Sequence, residues 1–469
     1  MRRIAIIGGG LSGLSAAYEL ARNAPDTEFK LFEASARLGG IVETFRADGF
    51  VIECGPDSWV TEKPWARELA VELGLEAEIV PSNDQNRRTY LLQQGRLIAM
   101  PDGMRMMVPT NLDAIADSPL FSKEARLAYR REPERAAELK TSALKDDEDE
   151  SVASFVRRHF GDEVARTIAG PLLAGVFGGD VESLSVRAVM PAFVKMEREH
   201  GSLIKAVQLL GNHGKYSVFT SLRSGLGTLI DRMVATLPRE SLQLKKDVIA
   251  VTRRSEGWRL CTRDAEEIFD AVIVATPVDV TRRLLRGVDE SFDNLLAMDA
   301  SSAIVVALAF LPGDVQMPSI PRGFGYLVPQ TGAEEERAQL LACTFVDQKF
   351  PHRAPEGGVL LRGFFGGAAA TSLMHESDAT LAALAMKRLS EVLGTLPTPY
   401  HTIVRRWPWS LPQYAVGHPA RMAKLEVLVA GFPGLYLVGN AYYGVGLPDM
   451  VRMGRDAARR GVREPLLPG

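Results

Sequence analysis

Residues 2–20 read RRIAIIGGGLSGLSAAYEL, and this stretch predicts the fold. An apolar, β-branched strand runs into a glycine turn, and the turn runs into a helix. The glycines follow the G-x-G-x-x-G order of a dinucleotide-binding turn, in which they allow the tight turn, a close backbone approach to a pyrophosphate and close helix packing. The free N–H groups at the helix start face the anion, so the predicted contacts are Gly8, Gly9, Gly10, Leu11, Ser12 and Gly13.

A second strand strengthens this prediction. It covers Phe29 to Phe32 and ends at Glu33, twenty residues after Gly13. A carboxylate at this spacing can accept hydrogen bonds from both ribose hydroxyls of an adenosine. The strand, helix and acidic residue in this register predict a Rossmann-like α/β domain that binds a dinucleotide.

A further glycine motif indicates which dinucleotide is bound. RLGG at 37–40 follows Glu33 closely, and DGFVIECGP at 48–56 comes next. Together they resemble the second signature of FAD-dependent oxidases of the amine oxidase and protoporphyrinogen oxidase superfamily. In that superfamily the arginine and both glycines approach the FAD phosphates and ribityl chain, and the Gly-Pro turn passes near the flavin. The resemblance implies non-covalent FAD rather than NAD.

The composition is that of an ordinary globular protein with a large core. Of its 469 residues 46% are hydrophobic and 24% are charged, and a net charge of −3 does not favour nucleic acid as a partner. The three cysteines and seven histidines are scattered, so neither a disulfide framework nor a metal site is predicted. The chain begins directly with the nucleotide strand, which predicts no signal peptide, and no apolar run approaches the roughly 20 residues that span a bilayer.

The nucleotide-binding fold is built from separated segments. Residues 1–84, 219–300 and 405–469 are predicted to form one discontinuous FAD-binding domain. Residues 85–105 and 301–404 alternate like a sheet, with a last strand at 400–404, and are predicted to form the substrate-binding domain. Residues 106–218 read as a mostly helical domain that includes a long helix at 122–140.

Four further motifs make the family resemblance more specific. GPLLAGVFGGD at 170–180, RGFGYLVP at 322–329, LPQY at 411–414 and GVGLP at 444–448 follow one another along the chain. With the N-terminal block they resemble the bacterial, oxygen-dependent type of the protoporphyrinogen and coproporphyrinogen III oxidase family. This implies a glutathione-reductase-like and amine-oxidase-like FAD domain, a mixed-sheet substrate domain and a helical, membrane-associated domain. It also implies a six-electron oxidation of a porphyrinogen in haem biosynthesis, driven by the flavin, with hydrogen peroxide formed and no catalytic side chain.

The resemblance assigns site residues position by position. A flat apolar slot for the macrocycle would be lined by Phe324, Leu327 and Phe364, with Gly175 facing the ring and Thr344 making the slot locally more polar. The further FAD contacts would be Ala34, Arg37, Gly39, Gly40, Gly55, Pro56, Asp57, Ser58, Val248, Trp407, Gly439, Gly446, Leu447 and Pro448.

This chain departs from the family pattern at a position that binds a propionate of the substrate in many relatives. Many relatives place an arginine where this chain has Thr89, with Arg87 and Arg88 just before it. Side chains alternate along a strand, so Arg87 would share a face with Thr89 and could replace the arginine of the relatives. If the hairpin is one residue longer, Arg88 would take this position instead. The expectation leans slightly to protoporphyrinogen IX, with two propionates, and holds coproporphyrinogen III, with four, as nearly equal.

The family also implies partners and a location. They are molecular oxygen, a partner enzyme of the haem pathway and a peripheral membrane contact, for a cytoplasmic protein that is soluble or bound to the inner face of the cell membrane. Two other classes stay open: a flavin oxidase acting on amines, and a non-catalytic binding protein like the GDP-dissociation inhibitors.

Overall fold

A parallel sheet forms the nucleotide-binding part of the protein. The computed structural model describes residues 1–210, 217–313, 317–329 and 339–464. With elements numbered along the chain, the sheet contains β1 (Arg2–Ile7), β2 (Thr27–Glu33), β12 (Leu242–Leu244), β16 (Ala271–Val274) and β22 (Leu435–Leu437). The strand order is β12-β2-β1-β16-β22, and every pair is parallel. The four residues of β16 are all buried, as expected for a strand covered on both faces.

The helices form three groups. Those packed on the parallel sheet or its extensions are α1 (Leu11–Asn23), α2 (Trp65–Glu72), α12 (Gly227–Thr236), α13 (Val278–Leu285), α14 (Ser291–Leu295), α18 (His418–Ala430) and α19 (Leu447–Arg463). A helical region contains α3 (Asp113–Ala116), α4 (Lys123–Arg131), α5 (Ala136–Thr141), α6 (Val152–Phe160), α7 (Asp162–Val164), α8 (Gly170–Phe177), α9 (Val186–Val189), α10 (Pro191–His200) and α11 (Leu203–Leu210). The third group is α15 (Val346–Lys349), α16 (Gly367–Leu373) and α17 (Asp378–Leu393). Within the described ranges, no helix has both the length and the apolar content to cross a bilayer.

A second, mixed sheet stands beside the first. It contains β7 (Thr89–Gln93), β8 (Arg96–Ala99), β17 (Ala300–Phe310), β18 (Gly325–Leu327), β19 (Ala342–Phe345), β20 (Val359–Gly366) and β21 (His401–Pro412). Their order is β21-β17-β20-β19-β18-β7-β8. One face packs on α17 through a buried apolar cluster, and the other turns toward residues 43–58.

Short strands complete the fold. They are β3 (Thr44–Ala47), β4 (Phe50–Glu53), β5 (Trp59–Val60), β6 (Ile79–Pro81), β9 (Met104–Arg105), β10 (Val108–Pro109), β11 (Phe219–Leu222), β13 (Val248–Arg254), β14 (Gly257–Thr262) and β15 (Glu266–Phe269). The predicted α/β class with a parallel nucleotide-binding sheet is confirmed.

Two predicted elements have different bounds in the structure. The strand predicted to end at Val404 continues to Pro412, because β21 stays paired with the long central strand β17 along this length. The predicted domain boundary at 404 therefore falls inside a strand. The helix predicted over 122–140 is divided into α4 and α5, since Pro133 between them cannot continue a helical hydrogen-bond ladder.

The helices α1 and α19 touch closely on one face of the parallel sheet. A Cβ on Gly454 would lie 2.1 Å from the backbone oxygen of Ser12, so glycine permits this approach. The buried carboxylate of Glu19 accepts hydrogen bonds of 2.7 Å from Nε of both Arg455 and Arg459. This ion-pair network joins the first and last helices of the chain.

We expect Glu19→Gln to lower the free energy of unfolding at neutral pH by about 2 kcal/mol, because Arg455 and Arg459 lose the buried carboxylate that they share, and Arg455 keeps only Glu72. Burial alone would raise the pKa of Glu19, but hydrogen bonds from Arg459 and Arg455 hold that pKa below its ordinary value of 4.5. The stabilisation is therefore complete above pH 4.5 and is lost as the pH falls below it. Chemical denaturation as a function of pH measures both effects.

The matched control is Glu68→Gln, which removes an exposed carboxylate from α2 and should change the unfolding free energy by less than about 0.5 kcal/mol. A Glu19→Gln effect that is equally small, or that is constant down to strongly acid pH, would contradict the assignment.

Candidate active site

Three glycine segments that are separate in the sequence meet at the carboxyl end of β1. The backbone N–H of Gly39 donates to the carbonyl of Gly9 at 2.8 Å, and Gly10 forms a parallel bridge with Gly39. A Cβ on Gly40 would lie 3.1 Å from Cα of Gly10, and one on Gly55 would lie 2.0 Å from the carbonyl oxygen of Ile41. The structure thus brings together the predicted segments 8–13, 37–40 and 55–58.

The loop before α1 has the properties of a pyrophosphate cradle. A Cβ on Gly10 would meet no protein atom within 4 Å, so this side of the loop is open. The hydroxyl of Ser12 is buried and has no hydrogen-bond partner among the described residues. The first turn of α1 holds no acidic residue, so the positive end of the helix is not neutralised. A phosphate oxygen would satisfy the Ser12 hydroxyl, and the cradle therefore fits the phosphates of FAD.

The predicted ribose carboxylate stands at the carboxyl end of β2. The two oxygens of Glu33 accept hydrogen bonds of 2.8 Å from the N–H groups of Gly9 and Ser35. Ala34 follows on the surface. The backbone of Lys246 donates to the carbonyl of Glu33, which brings Val248 to the same edge of the sheet. Lys246, two residues before Val248, therefore lies beside Glu33, and the adenosine contacts of Ala34 and Val248 stay predictions.

The start of α19 closes the same edge. Gly439 follows β22 with a φ of 133°, and a Cβ there would meet no atom within 4 Å. Gly446 caps α19, and Pro448 lies in its first turn. The first-turn carboxylate of Asp449 pairs with Nζ of Lys63 at 2.6 Å, so it does not cancel the helix dipole.

Some predicted cofactor residues have their side chains engaged elsewhere. The guanidinium of Arg37 donates to the carbonyls of residues 38, 40 and 42 and so stabilises its own loop. Ser58 Oγ donates to the carboxylate of Asp57 at 2.7 Å, and Lys349 donates to the same carboxylate. Trp407 Nε1 donates to the carbonyl of Cys54 at 2.7 Å, next to the Gly55–Pro56 turn. The cofactor contacts of these residues stay predictions.

Three predicted substrate residues share one face of the mixed sheet. Directly paired residues point to the same side of a sheet, as do residues two apart on one strand. Leu327 pairs with Ala342, and Ala342 pairs with Phe364. Thr344 stands two residues after Ala342. The predicted slot residues Leu327, Thr344 and Phe364 are all half-buried on this face, whereas the opposite face is buried under α17.

The helical region packs against this face of the mixed sheet. A Cβ on Gly175 of α8 would lie 3.9 Å from Cδ2 of Leu327 and would otherwise meet open space. Leu172 of the same helix, Leu327 and Val445 of the loop before α19 all pack on one apolar cluster. A π-helical stretch at Ala165–Ala169 directly precedes α8, and such bulges are frequent at functional sites. Phe324 stands half-buried just before β18.

Arg87 does not lie on β7, so the prediction that it shares a strand face with Thr89 is wrong. Residues 84–86 form a 3₁₀ turn, Arg87 ends that turn, and β7 begins only at Thr89. Strand alternation therefore does not reach Arg87. Arg88 is held at the start of the sheet, where its carbonyl accepts a hydrogen bond from Phe324 N at 2.8 Å.

The sequence reasoning missed two groups of residues. Arg322 lies beside Arg88, because its carbonyl accepts a hydrogen bond of 2.9 Å from Tyr90 at the start of β7. Arg362 and Lys349 lie beneath the Gly55–Ser58 turn and contact Asp57. The signal for Arg362 was a single charge inside the apolar run VLLRGFF of β20.

Comparison with known proteins agrees with this geometry. The model of the family described as flavin containing amine oxidoreductase matches residues 11–460. Coproporphyrinogen III oxidase of Bacillus subtilis is 32% identical over 97% of both chains. Protoporphyrinogen oxidase of Bos taurus is 31% identical over 98% of both chains. A solved structure from Exiguobacterium sp. 255-15 with a provisional protoporphyrinogen oxidase name has a TM-score of 0.84 and 32% identity, over 98% of both chains.

The chain therefore belongs to the flavin containing amine oxidoreductase family. It is an FAD-dependent oxidase that is similar over its full length to coproporphyrinogen III and protoporphyrinogen oxidases. The predictions of FAD and of an oxidase are confirmed. When bound, FAD supplies the ring that accepts hydride and passes the electrons to oxygen.

We expect two glycine substitutions in the cradle to act differently. Gly10→Ala should leave the stability of the apoprotein unchanged, because the added methyl group enters open space, but should lower the FAD content by filling the cradle. Gly13→Ala should also destabilise the apoprotein, since its Cβ would lie 1.9 Å from the carbonyl oxygen of Gly8. Flavin absorbance after dialysis and thermal unfolding of the apoproteins measure the two effects. Full flavin content in Gly10→Ala would contradict the cradle.

Proposed function

We propose that this protein oxidises a porphyrinogen, with coproporphyrinogen III as the first candidate, to the corresponding porphyrin. The substrate loses six hydrogens, and three molecules of oxygen become three of hydrogen peroxide through repeated turnover of FAD. The observation that carries the proposal is the half-buried apolar surface of Leu327 and Phe364 on the mixed sheet, with Gly175 of α8 packed against Leu327. A tetrapyrrole needs an apolar, flat site of this kind beside the flavin.

The residues of the slot suit a ring that is held rather than chemically attacked. Leu327 and Phe364 offer half-buried apolar surface, and Gly175 offers backbone without a side chain. The carbonyl of Gly175 can accept a hydrogen bond from a pyrrole N–H, and Thr344 adds one polar group. The flavin performs the redox chemistry, so the slot supplies orientation and exclusion of water.

Three cations at one end of the sheet support the choice of substrate. Arg87, Arg88 and Arg322 are exposed and, across the part of the chain that the structure describes, form no ion pair. They lie where the paired strands β7 and β18 begin. Arginine binds carboxylates well, so such a cluster favours a substrate with several propionates. Coproporphyrinogen III has four.

Protoporphyrinogen IX is the second candidate. Coproporphyrinogen III oxidase of Bacillus subtilis and protoporphyrinogen oxidase of Bos taurus match this chain at 32% and 31% identity, and the sequence leans slightly to protoporphyrinogen IX with coproporphyrinogen III nearly equal. Oxygen uptake with the two porphyrinogens side by side discriminates between them. An amine panel in the same assay tests the remaining class, and peroxide formed from amines alone would overturn the proposal.

We expect Arg88→Ala and Arg322→Ala each to raise the KM for coproporphyrinogen III roughly tenfold, because each removes a charge-assisted hydrogen bond to a propionate. Arg87→Ala belongs to the same series. The effect on protoporphyrinogen IX should be smaller, and the flavin content should not change. Arg96→Ala is the matched control, since Arg96 is an exposed arginine at the far end of the β7–β8 hairpin. Unchanged KM values in all three site variants would refute this role.

We further propose a location and a domain division. Residues 106–218 act as a helical domain that contacts the inner face of the cytoplasmic membrane peripherally and meets a partner enzyme of the haem pathway. The exposed Leu127 and Leu209 of this region support the contact. The FAD-binding and substrate-binding domains follow the predicted segments, with the boundary moved from 404 to after Pro412.

The membrane contact predicts that the protein co-sediments with vesicles of anionic lipid and that Leu209→Ser weakens this binding. If all of the protein stays in the supernatant, the membrane contact is excluded. The proposal of porphyrinogen oxidation does not depend on this result.

A further inference from the structure

A buried group of charges lies beneath the Gly55–Ser58 turn. The carboxylate of Asp57 accepts two hydrogen bonds from Nζ of Lys349, at 3.0 and 3.1 Å. Nη1 of Arg362 lies 3.4 Å from the same carboxylate. Lys349 is only 8% exposed and Arg362 only 1%. These three residues are called the Asp57 cluster below.

The Asp57 cluster holds one more positive than negative charge. The neighbouring buried pair of Glu53 and Arg353, 2.8 Å apart, balances itself. Burial alone would raise the pKa of Asp57, but Lys349 and Arg362 hold it far below its ordinary value, so the carboxylate is ionised. Burial raises the pKa of the adjacent Cys54 to about 11, so this thiol adds no negative charge. Among these direct contacts one buried cation is left without a counter-charge, which is costly and points to an anion outside the cluster.

The excess charge lies between the flavin-facing turn and the slot. Arg362 shares its sheet face with Thr344 and Phe364, and its guanidinium carbon is 5.0 Å from the centre of the Phe364 ring. Nη2 donates to the carbonyl of Gly55, a residue of the predicted flavin-facing turn. Nε is buried and has no acceptor within the described ranges.

We propose that the Asp57 cluster stabilises the negative charge that FAD gains on reduction and thereby raises the reduction potential of the bound flavin. Arg362 and Lys349 are then positioning residues that act on the cofactor across the Gly55–Ser58 turn. A fixed cation in a site of low dielectric acts strongly on charge that develops nearby. The inference depends on FAD and not on the substrate proposed above, so inactivity toward porphyrinogens would leave it standing.

The experiment compares the two-electron reduction potential of FAD in the purified holoenzyme and its variants by equilibration with a reference dye. Arg362→Gln keeps an amide donor for Gly55 but removes the charge, and Lys349→Met removes the other cation. Each should lower the equilibrium constant for reduction roughly tenfold, which corresponds to a potential about 30 mV more negative. Asp57→Asn should shift the potential in the opposite direction, because it removes the negative charge.

The charge-conserving variants Arg362→Lys and Lys349→Arg should stay within about twofold of the wild type. Arg406→Gln is the control for loss of an arginine, since Arg406 lies on β21 and pairs with Asp378 of α17 on the other side of the sheet. If Arg362→Gln does not retain flavin, the comparison of Lys349→Met with Lys349→Arg and Asp57→Asn decides. Potentials unchanged in all variants, or Asp57→Asn shifting in the same direction as Lys349→Met, would overturn the proposal.

Discussion

The structure depends on one close contact, the packing of α1 on the carboxyl end of β1. A side chain at Gly13 would overlap the carbonyl of Gly8, and one at Gly454 would overlap the first turn of α1. Glycine at these positions lets three pieces of backbone meet without side chains between them. The positive end of α1 is consequently fixed at the edge of the parallel sheet, where a pyrophosphate can reach its free N–H groups.

The rest of the site is assembled around that edge by long-range contacts. Residues 53–58 contact the mixed sheet through Asp57, which pairs with Arg362 of β20, and Glu53 pairs with Arg353 in the turn after α15. Such pairs contribute little net stability, but removing one partner is costly. They therefore hold residues 53–58 in a defined position against the mixed sheet.

In a flavin oxidase the cofactor carries the redox chemistry, so the protein supplies the surroundings of the ring. A flavin oxidase needs a held ring, a dry slot and a suitable electrostatic environment, and its residues supply shape and charge. In the proposed function, Gly175 and Leu327 provide shape, while the start of α19 and the buried cations provide charge. A fold does not fix a function, so in the proposed function the specificity comes from the predicted slot residues and from Arg87, Arg88 and Arg322.

The sequence by itself determined the features that consecutive residues encode. The glycine turn with Glu33 predicted the nucleotide site, and alternation predicted the strands of the mixed sheet, because backbone geometry and burial repeat over a few residues. Side chains whose partners are remote could not be placed in this way. Arg87 was misplaced because a 3₁₀ turn, set by contacts outside the segment, interrupts the strand pattern. The partners Asp57 and Arg362 are about three hundred positions apart, so only the tertiary structure decided that they meet and where the excess charge lies.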